Sequence, residues 1–357
     1  MGKYLVSLSW IVLIATLVCY GAVLIPPEKF WPAGILVYGI LPLLVINLLL
    51  LVILVTLKTR ALFIPLMALL VGFVFIKITV HLNLRSPGIQ EGTMTEVLSY
   101  NVKNFDKVRG NIEKSSNMIQ WLVHDTADVK CLQEFYSRTG DPYLDVVDKM
   151  TEAGYNFHLS DNEPGNQTIL KGLAIFTRYP VINKGVLLFQ ENAWNDCIYA
   201  DLKIGQDTVR IYNVHLYSMR IPLYAYKDPS NYEGKLKSLI RKLKDGAINR
   251  SREIDQLISH TAECPYPFII CGDFNDIPYS QNYLTLRNHF NNAFEAVGNG
   301  FGFSFNHKLF FLRIDHHFVS DGIRPVFYRV DRTMKGSDHF PTRGIYQLPY
   351  LVIREQK

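Results

Sequence analysis

Acidic residues are almost missing from the amino-terminal quarter of the chain. Among residues 1–90 Glu28 is the only one, against six Lys/Arg, and this imbalance equals the whole formal charge of +5. Residues 91–357 carry 31 Lys/Arg and 31 acids. That part is therefore no general polyanion binder, and any basic patch on it is local. Charge is scarce overall, at 19% against 48% hydrophobic residues, which excludes a disordered or acidic-tail protein. Cysteine chemistry is missing too. The five cysteines form no CxxC and no Cys/His spacing, so a zinc finger or dithiol redox motif is excluded. Cys19 lies in an apolar run, and Cys131 and Cys271 lie in strand-like runs where a thiol serves as a small buried hydrophobe. Internal repeats and low-complexity tracts are absent as well.

What the first quarter has instead is uncharged apolar sequence, over Tyr4–Pro27, Phe30–Leu57 and Ala61–Ile76. A spanning helix needs about 20 apolar residues. The first two runs are long enough; the third spans only if Lys77 snorkels and Ile78–Leu82 complete it. A signal peptide fits the first run poorly, because no small-residue cleavage pattern follows and a second run comes directly after Pro26-Pro27. Lys3, the amino terminus, Lys58 and Arg60 would share one side, Lys29, Arg85 and, if it snorkels, Lys77 the other. This slight positive-inside bias favours a cytoplasmic amino terminus. Three spans then place residues 91–357 outside the cell membrane; two spans place them inside.

Residues 83–95, with Ser-Pro-Gly and Glu-Gly, read as a linker between a transmembrane segment, 1–82, and a large domain, 96–350. Strands are predicted at Glu96–Val102, Val129–Phe135, Leu173–Thr177, Ile198–Ile204, Thr208–Leu216, Pro267–Cys271 and Ile314–Val319. Helices are predicted at Asn111–His124, Tyr143–Ala153, Lys235–Cys264 and Gln281–Asn291. This mixture predicts an α/β domain of two packed sheets with helices outside. Several strands end in polar groups. By alternation, Val209–Ile211–Asn213–His215, Ile269–Cys271–Asp273 and Val97–Ser99–Asn101 each run from an apolar start to an amide, imidazole or carboxylate, and Lys130–Leu132–Glu134 likewise ends in a carboxylate. One such ending is a strand meeting water; several point to a site on a rigid scaffold.

The motifs are SYNV with Asn101, LQEF with Glu134, NVHLYS with Asn213 and His215, PFIICGDFNDIP with Asp273 and Asn275, RIDHHF with Asp315, and GSDHFP with Asp338 and His339. In this order they resemble the endonuclease/exonuclease/phosphatase superfamily over about Thr95–Leu348. The resemblance implies a four-layer α/β sandwich with its site at one end of the paired sheets. It also implies hydrolysis of phosphoester bonds with a divalent metal.

Residue chemistry points the same way. Hard carboxylate and amide oxygens suit Mg²⁺ or Mn²⁺ better than zinc. Glu134 is the first-choice ligand, with Asn101 beside it and Asp338 bound directly or through water. His339 is the candidate general base, and the resemblance makes Asp315 its partner. Asp273 would position or deprotonate the water, and Asn275 and His215 would donate to the phosphate. Asn213, Arg178 and Lys171 are candidates for substrate contact, the two cations being equally readable as solvated surface charge. His316 and His317 look like a metal pair, but strand neighbours face opposite ways, so they read as structural. Asp276 reads as a turn cap before Pro278. Asn166-Gln167-Thr168 is formally a glycosylation sequon, meaningful only in a eukaryotic secretory host.

Two stretches bear on the substrate. Tyr217–Tyr232 holds four tyrosines and could form an aromatic rim; Lys235–Arg252 carries seven Lys/Arg against Asp245. Such a helix could track nucleic-acid phosphates, lie on anionic lipid or simply present a solvated face. The expectation is a membrane-embedded phosphodiesterase or endonuclease acting on nucleic acid. The alternative is a sphingomyelinase- or inositol-phosphatase-like enzyme acting on a phospholipid headgroup or small phosphoester. A catalytically silent module would have lost some of these residues. No protein partner is implied.

Overall fold

The structure is a computed structural model that describes residues 2–83, 92–105, 112–160, 168–189, 196–219 and 232–348. Most of the linker, the sequon's Asn166 and Gln167, and the tyrosine-rich stretch between Met219 and Tyr232 lie outside the described residues. The chain forms two compact units.

The first unit contains residues 1–81, 218–254 and 276–285. Its helices are α1 (Gly2–Ala22), α2 (Ala33–Leu36), α3 (Ile40–Thr56), α4 (Phe63–Val71) and α5 (Phe73–Thr79). Lys3–Ala22 and Ala33–Thr56 are each long and apolar enough to cross a membrane, with mean hydropathies of 2.1 and 2.8. The pair α4–α5 is apolar enough only when taken together, and bends by 62° at Gly72. Large apolar side chains such as Ile11, Ile14, Leu49 and Val52 point outward from this bundle and are more than half exposed, an arrangement that suits lipid rather than water. Inside it, the Asn47 amide donates to the Thr16 hydroxyl at 2.9 Å. Tyr20 stacks on Phe75 with ring centres 4.7 Å apart.

The second unit contains residues 82–217, 255–275 and 286–357. After the two-residue strand β1 (His81–Leu82) come β2 (Met94–Asn101), α6 (Ile112–His124), β3 (Val129–Arg138), α7 (Val146–Glu152), β4 (Asn156–Leu159), β5 (Ile169–Thr177), β6 (Val181–Leu188), β7 (Asp196–Ile204) and β8 (Asp207–His215). The long helix α8 (Tyr232–Ala262) belongs to the first unit up to Ile254 and to the second from Asp255. Then follow β9 (Phe268–Asp273), α9 (Gln281–His289), which belongs to the first unit up to Thr285 and to the second from Leu286, β10 (Asn291–Asn292), α10 (Ala293–Val297), β11 (Asn299–Gly300), β12 (Asp315–Val319), β13 (Arg324–Val330) and β14 (Thr342–Gln347).

Two six-stranded sheets result, ordered β13-β14-β2-β3-β5-β4 and β10-β12-β9-β8-β7-β6. Each has one parallel pair at its centre, β2 with β3 and β8 with β9, and is otherwise antiparallel. The alternating apolar residues of the central strands pack between the sheets: Val97, Val129, Cys131, Ile175, Ala200, Val209, Ile211, Ile269 and Cys271 are all fully buried there. A second core joins the outer face of the first sheet to α6 and α7 through Leu98, Tyr100, Leu122, Leu132, Val146 and Met150. On the other side Leu257 and His260, from the end of α8, cover the second sheet, and His260 hydrogen-bonds Tyr212 at 3.0 Å. Helix, sheet, sheet, helix is the four-layer sandwich that the sequence led one to expect. All seven predicted strands are present. The elements missed are β4, β6, β13 and β14, which lie at or next to sheet edges and alternate less cleanly, together with the two-residue strands β1, β10 and β11 and the short helix α10.

Candidate active site

The two parallel pairs end at the same place. At the carboxyl end of β2 stands Asn101, with Gln133 and Glu134 beside it midway along β3, where the parallel pairing stops; at the carboxyl ends of β8 and β9 stand His215 and Asp273. Antiparallel β12 begins opposite, with Asp315 in register with Asp273. Asp338 and His339 sit just before β14, whose first residue pairs with Ser99. Strand ends are rigid, so the groups on them are held in place without help from long loops, whereas Asp338 and His339 sit on the loop between β13 and β14.

Local backbone detail aims them. β3 alternates with Cys131 on the inter-sheet face and Leu132 on the helix face, which would turn Glu134 toward the helices. A register shift between Leu132 and Phe135, with Glu134 at φ 48°, breaks the alternation. Such a bulge re-aims one side chain at a cost of about 1–3 kcal/mol of backbone strain. Asn275 is also left-handed, at φ 50°. Its N–H closes onto the Asp273 carboxylate at 2.8 Å, and its amide donates to the Leu216 carbonyl at 3.0 Å. Gly272, at φ 151°, lets β9 approach β8, since a Cβ there would run into the Val214 carbonyl.

The Asn101 amide donates to Asp273 at 3.0 Å and to Glu134 at 3.3 Å. His215 Nε2 lies 3.8 Å from Asp273 and 4.0 Å from Glu134, too far for a hydrogen bond, and is buried without a partner. His339 Nδ1 meets both oxygens of Asp315 at 2.9 and 3.2 Å, while its Nε2 stands 3.7 Å from Asp273. Phe305 packs edge-on against the His339 ring. Burial pushes the His339 imidazolium down, yet Asp315 and Asp273 overrule it and lift the pKa to about 10. Burial raises the Asp273 carboxyl; His339 and His215 oppose this and Asp315 adds to it. Asp338 forms an ion pair with Lys103. Burial works to raise its pKa, but His339 and Lys103 hold it below the usual carboxylate range.

Not every expected residue converges. Asn213 is fully buried between the sheets. Its amide donates to the Leu132 and Ala174 carbonyls, each at 2.9 Å, and accepts from Gln133 at 2.7 Å, so nothing is left for a substrate. Arg178 lies beyond β5 beside Asp128, at the start of β3 and away from Glu134, with its guanidinium over the Tyr155 ring. Lys171 does lie near the site end, in register with Tyr136. His317 is buried between the Tyr346 and Thr342 hydroxyls, and its pKa is pushed down to about 3 by burial, while His316 packs against Phe274 and Phe318. Asp276 is no mere turn cap: it is buried, pairs with Arg250 at 3.3 Å and accepts from Asn282 at 3.0 Å.

Some contributors were not singled out from the sequence. Lys103 neutralises Asp338. The buried Gln133 joins the sheets through Ser99 and Asn213. Ser337 donates to the Asn101 carbonyl at 2.7 Å and so ties the His339 loop to β2. Lys103, Gln133 and Ser337 all lie within two residues of a quoted motif residue, which was the available signal.

The donor set fits a hard divalent cation. Glu134 and Asp273 present oxygens to the space that the orphaned His215 Nε2 also faces. Asp273, Asp315 and His339 place ligand atoms within 4.8 Å of one another. Asp315, however, is already committed to His339. Asn101 as placed offers its NH₂ to the carboxylates and its carbonyl oxygen to the Lys103 N–H; turned over, its oxygen would face the same space.

Comparison with known proteins agrees with this geometry. The Endonuclease/Exonuclease/phosphatase family model matches residues 98–339, and a domain of unknown function (DUF8431) matches residues 2–79. No curated protein matches the chain in sequence. Among solved structures, it is similar to an endonuclease/exonuclease/phosphatase from Beutenbergia cavernae, with 16% identity, a TM-score of 0.53 and 72% of each chain covered. A family protein from Bacteroides thetaiotaomicron gives 20%, 0.52, and 72% of this chain with 99% of that one. A humanized D. rerio TDP2 gives 16%, 0.52, and 71% with 99%. The chain belongs to the endonuclease/exonuclease/phosphatase family.

Proposed function

We propose that this member of the family is a membrane-anchored, Mg²⁺- or Mn²⁺-dependent phosphodiesterase that cleaves nucleic acid. The observation that carries the chemistry is the convergence of Glu134, Asp273, Asn101, His215 and the His339–Asp315 pair at the ends of the two parallel strand pairs. Glu134 and Asp273 would hold the metal, with Asn101 turned over as a third oxygen donor and Asp338 in support. When bound, the cation neutralises phosphoryl oxygens as a Lewis acid. His215 Nε2, buried and without a partner, donates to a phosphoryl oxygen and gains most as negative charge builds there. Asp315 grips Nδ1 of His339, so that Nε2 faces the reacting group to exchange a proton with it. Asp273 orients the attacking water, and Asn275 holds Asp273.

The anchor reading takes residues 1–82 as transmembrane, 83–95 as linker and 96–350 as the catalytic domain. Three crossings are supported by contacts within the first unit. Lys244, Ala247 and Arg252 of α8 meet Trp31, Gly34 and Glu28 at the turn between the first two apolar helices. Thr79, at the end of α5, hydrogen-bonds Tyr279 at 2.7 Å. With Lys58 and Arg60 at the opposite end of α3, the segment α4–α5 has to return across the bilayer. The positive-inside bias then makes the catalytic side extracytoplasmic.

The two helices long and apolar enough to cross a membrane favour a second reading, hydrolysis of a phospholipid headgroup, because an anchor would hold the enzyme at the membrane where such substrates are concentrated. The test uses full-length protein in detergent with Mg²⁺, beside EDTA and His339→Ala controls, on plasmid DNA and on sphingomyelin or phosphoinositide vesicles. Nicking lost in both controls is the expected result. Lipid turnover with intact plasmid replaces the nuclease reading by the second, and silence on both with metal bound overturns each.

A further inference from the structure

The amino-terminal half of α8 has no role in the chemistry above, yet its composition is unusual for a solvated helix. Between Glu233 and Lys244 it carries five Lys/Arg (235, 237, 241, 242 and 244) against the single acid Glu233. Glu233 is already paired with Lys237 at 2.6 Å. Within the same stretch Leu236 is 41% exposed and Ile240 38% exposed. A helix advances 100° per residue, so Leu236, Ile240, Leu243 and Ala247 share one face within a sector of about 60°. Lys237 and Lys244 border that stripe on one side and Lys235 on the other.

The stripe has a known continuation. Ala247 packs so tightly on Gly34, at the turn before the second apolar helix, that a Cβ on Gly34 would lie 2.7 Å from the Ala247 methyl. Lys244 extends its ammonium to 6.0 Å from the Trp31 ring centre, and Arg252 pairs with Glu28 at 3.1 Å. Trp31, half-exposed Phe30 and the charged pair Glu28-Lys29 together have the composition of a membrane–water boundary. The face of α8 that meets protein at Ala247 therefore runs on, toward its amino terminus, as exposed leucine and isoleucine flanked by lysine, with Ser238 and Asp245 on the opposite side.

We propose that residues 233–244 of α8 are an interfacial helix, seated on the anionic phospholipid headgroups of the membrane that holds the anchor. The inference rests on the anchor reading above. Its chemistry is that of an amphipathic basic helix: the apolar stripe enters the headgroup–acyl boundary and the flanking lysines meet phosphate. Nucleic acid would suit the lysines but would leave Leu236 and Ile240 without a partner, which is why lipid is favoured.

The test uses the full-length chain with Cys264→Ser, reconstituted into phosphatidylcholine bilayers with or without phosphatidylglycerol. A fluorophore is attached at Leu236→Cys, Ile240→Cys, Ser238→Cys or, within the second apolar helix, Leu49→Cys. Lipids with a quencher near the headgroup should quench positions 236 and 240 at least about twofold more than 238. Phosphatidylglycerol should increase that contrast, and Lys237→Gln with Arg241→Gln and Lys244→Gln should abolish the increase. A deep quencher should reach Leu49 in every case. Equal quenching at 236 and 238 while Leu49 is quenched overturns the interfacial helix alone. Loss of quenching at Leu49 as well overturns the anchor reading with it. Release of the Leu236 label from the quencher by a single-stranded oligonucleotide assigns the helix to nucleic acid and overturns the proposal.

Discussion

Replacing Asp315 by Asn tests the central pair of the site. In the native protein both Asp315 oxygens lie within 3.2 Å of His339 Nδ1, and Asp273 stands 3.7 Å from Nε2. Together they lift the imidazole from its ordinary 6.5 to about 10. A shift of that size corresponds to roughly 5 kcal/mol favouring the charged ring. Asp315 is the nearer of the two and the one hydrogen-bonded to the ring, so Asp315→Asn should bring the metal-free His339 pKa down toward its ordinary value. The sign follows from linkage. A raised folded pKa contributes stability that is fully present below pH 6.5 and is lost as pH rises through about 10. The variant should therefore lose about 3 kcal/mol near pH 6, the order of cost for leaving a buried charge without its partner, and less as the pH approaches 10. Hydrolysis of a chromogenic phosphodiester should fall about 10²–10⁴-fold, because the ring loses its orientation as well as its charge partner. The pKa is measured by NMR on histidine-labelled, EDTA-treated protein, with His339→Gln identifying the resonance. A folded Asp315→Asn protein with an unshifted His339 and activity within a few-fold of the parent would refute the pairing as a working part of the site.

Three further outcomes follow from the same structure. Glu134→Gln should weaken Mn²⁺ binding about 10–100-fold by calorimetry with the melting temperature nearly unchanged; unaltered affinity would remove Glu134 from the ligand set. Gly272→Ala should cost about 3 kcal/mol or more in thermal unfolding, since the new methyl meets the Val214 carbonyl and the φ of 151° disfavours it. Lys130 is fully buried, with its ammonium on the Leu122 and Asp125 carbonyls at 2.6 and 2.7 Å, and burial lowers its pKa from 10.5 to about 8. The folded state releases this proton first, so native stability should gain about 3 kcal/mol between pH 8 and pH 10.5 from this group. Lys130→Met should lose that pH-dependent gain, and identical pH profiles for the two proteins would contradict it.

Local sequence determined much of this protein by itself. The apolar runs make α1 and the Ala33–Thr56 segment long enough to span, because length and hydropathy are properties of a single helix. The alternating strands and their polar ends lie close together in sequence, so β2, β8 and β9 and the endings Asn101, His215 and Asp273 were legible there. Tertiary structure decided the rest. Glu134 lies in a legible strand, but alternation aims it at the helices; only the bulge opposite β5 turns it into the site. Asn213 obeys alternation, and that carries it into the sheet–sheet interior, where Gln133 and two carbonyls take up its amide. Arg178 follows the end of β5, and only the antiparallel pairing with β3 puts that end far from Glu134. Asp276 reads as a cap until α8 brings Arg250 against it. Periodicity and hydropathy act over a few residues, whereas a side chain's aim and partner depend on which distant strand or helix lies beside it, and that is set only when the sheets and helices pack.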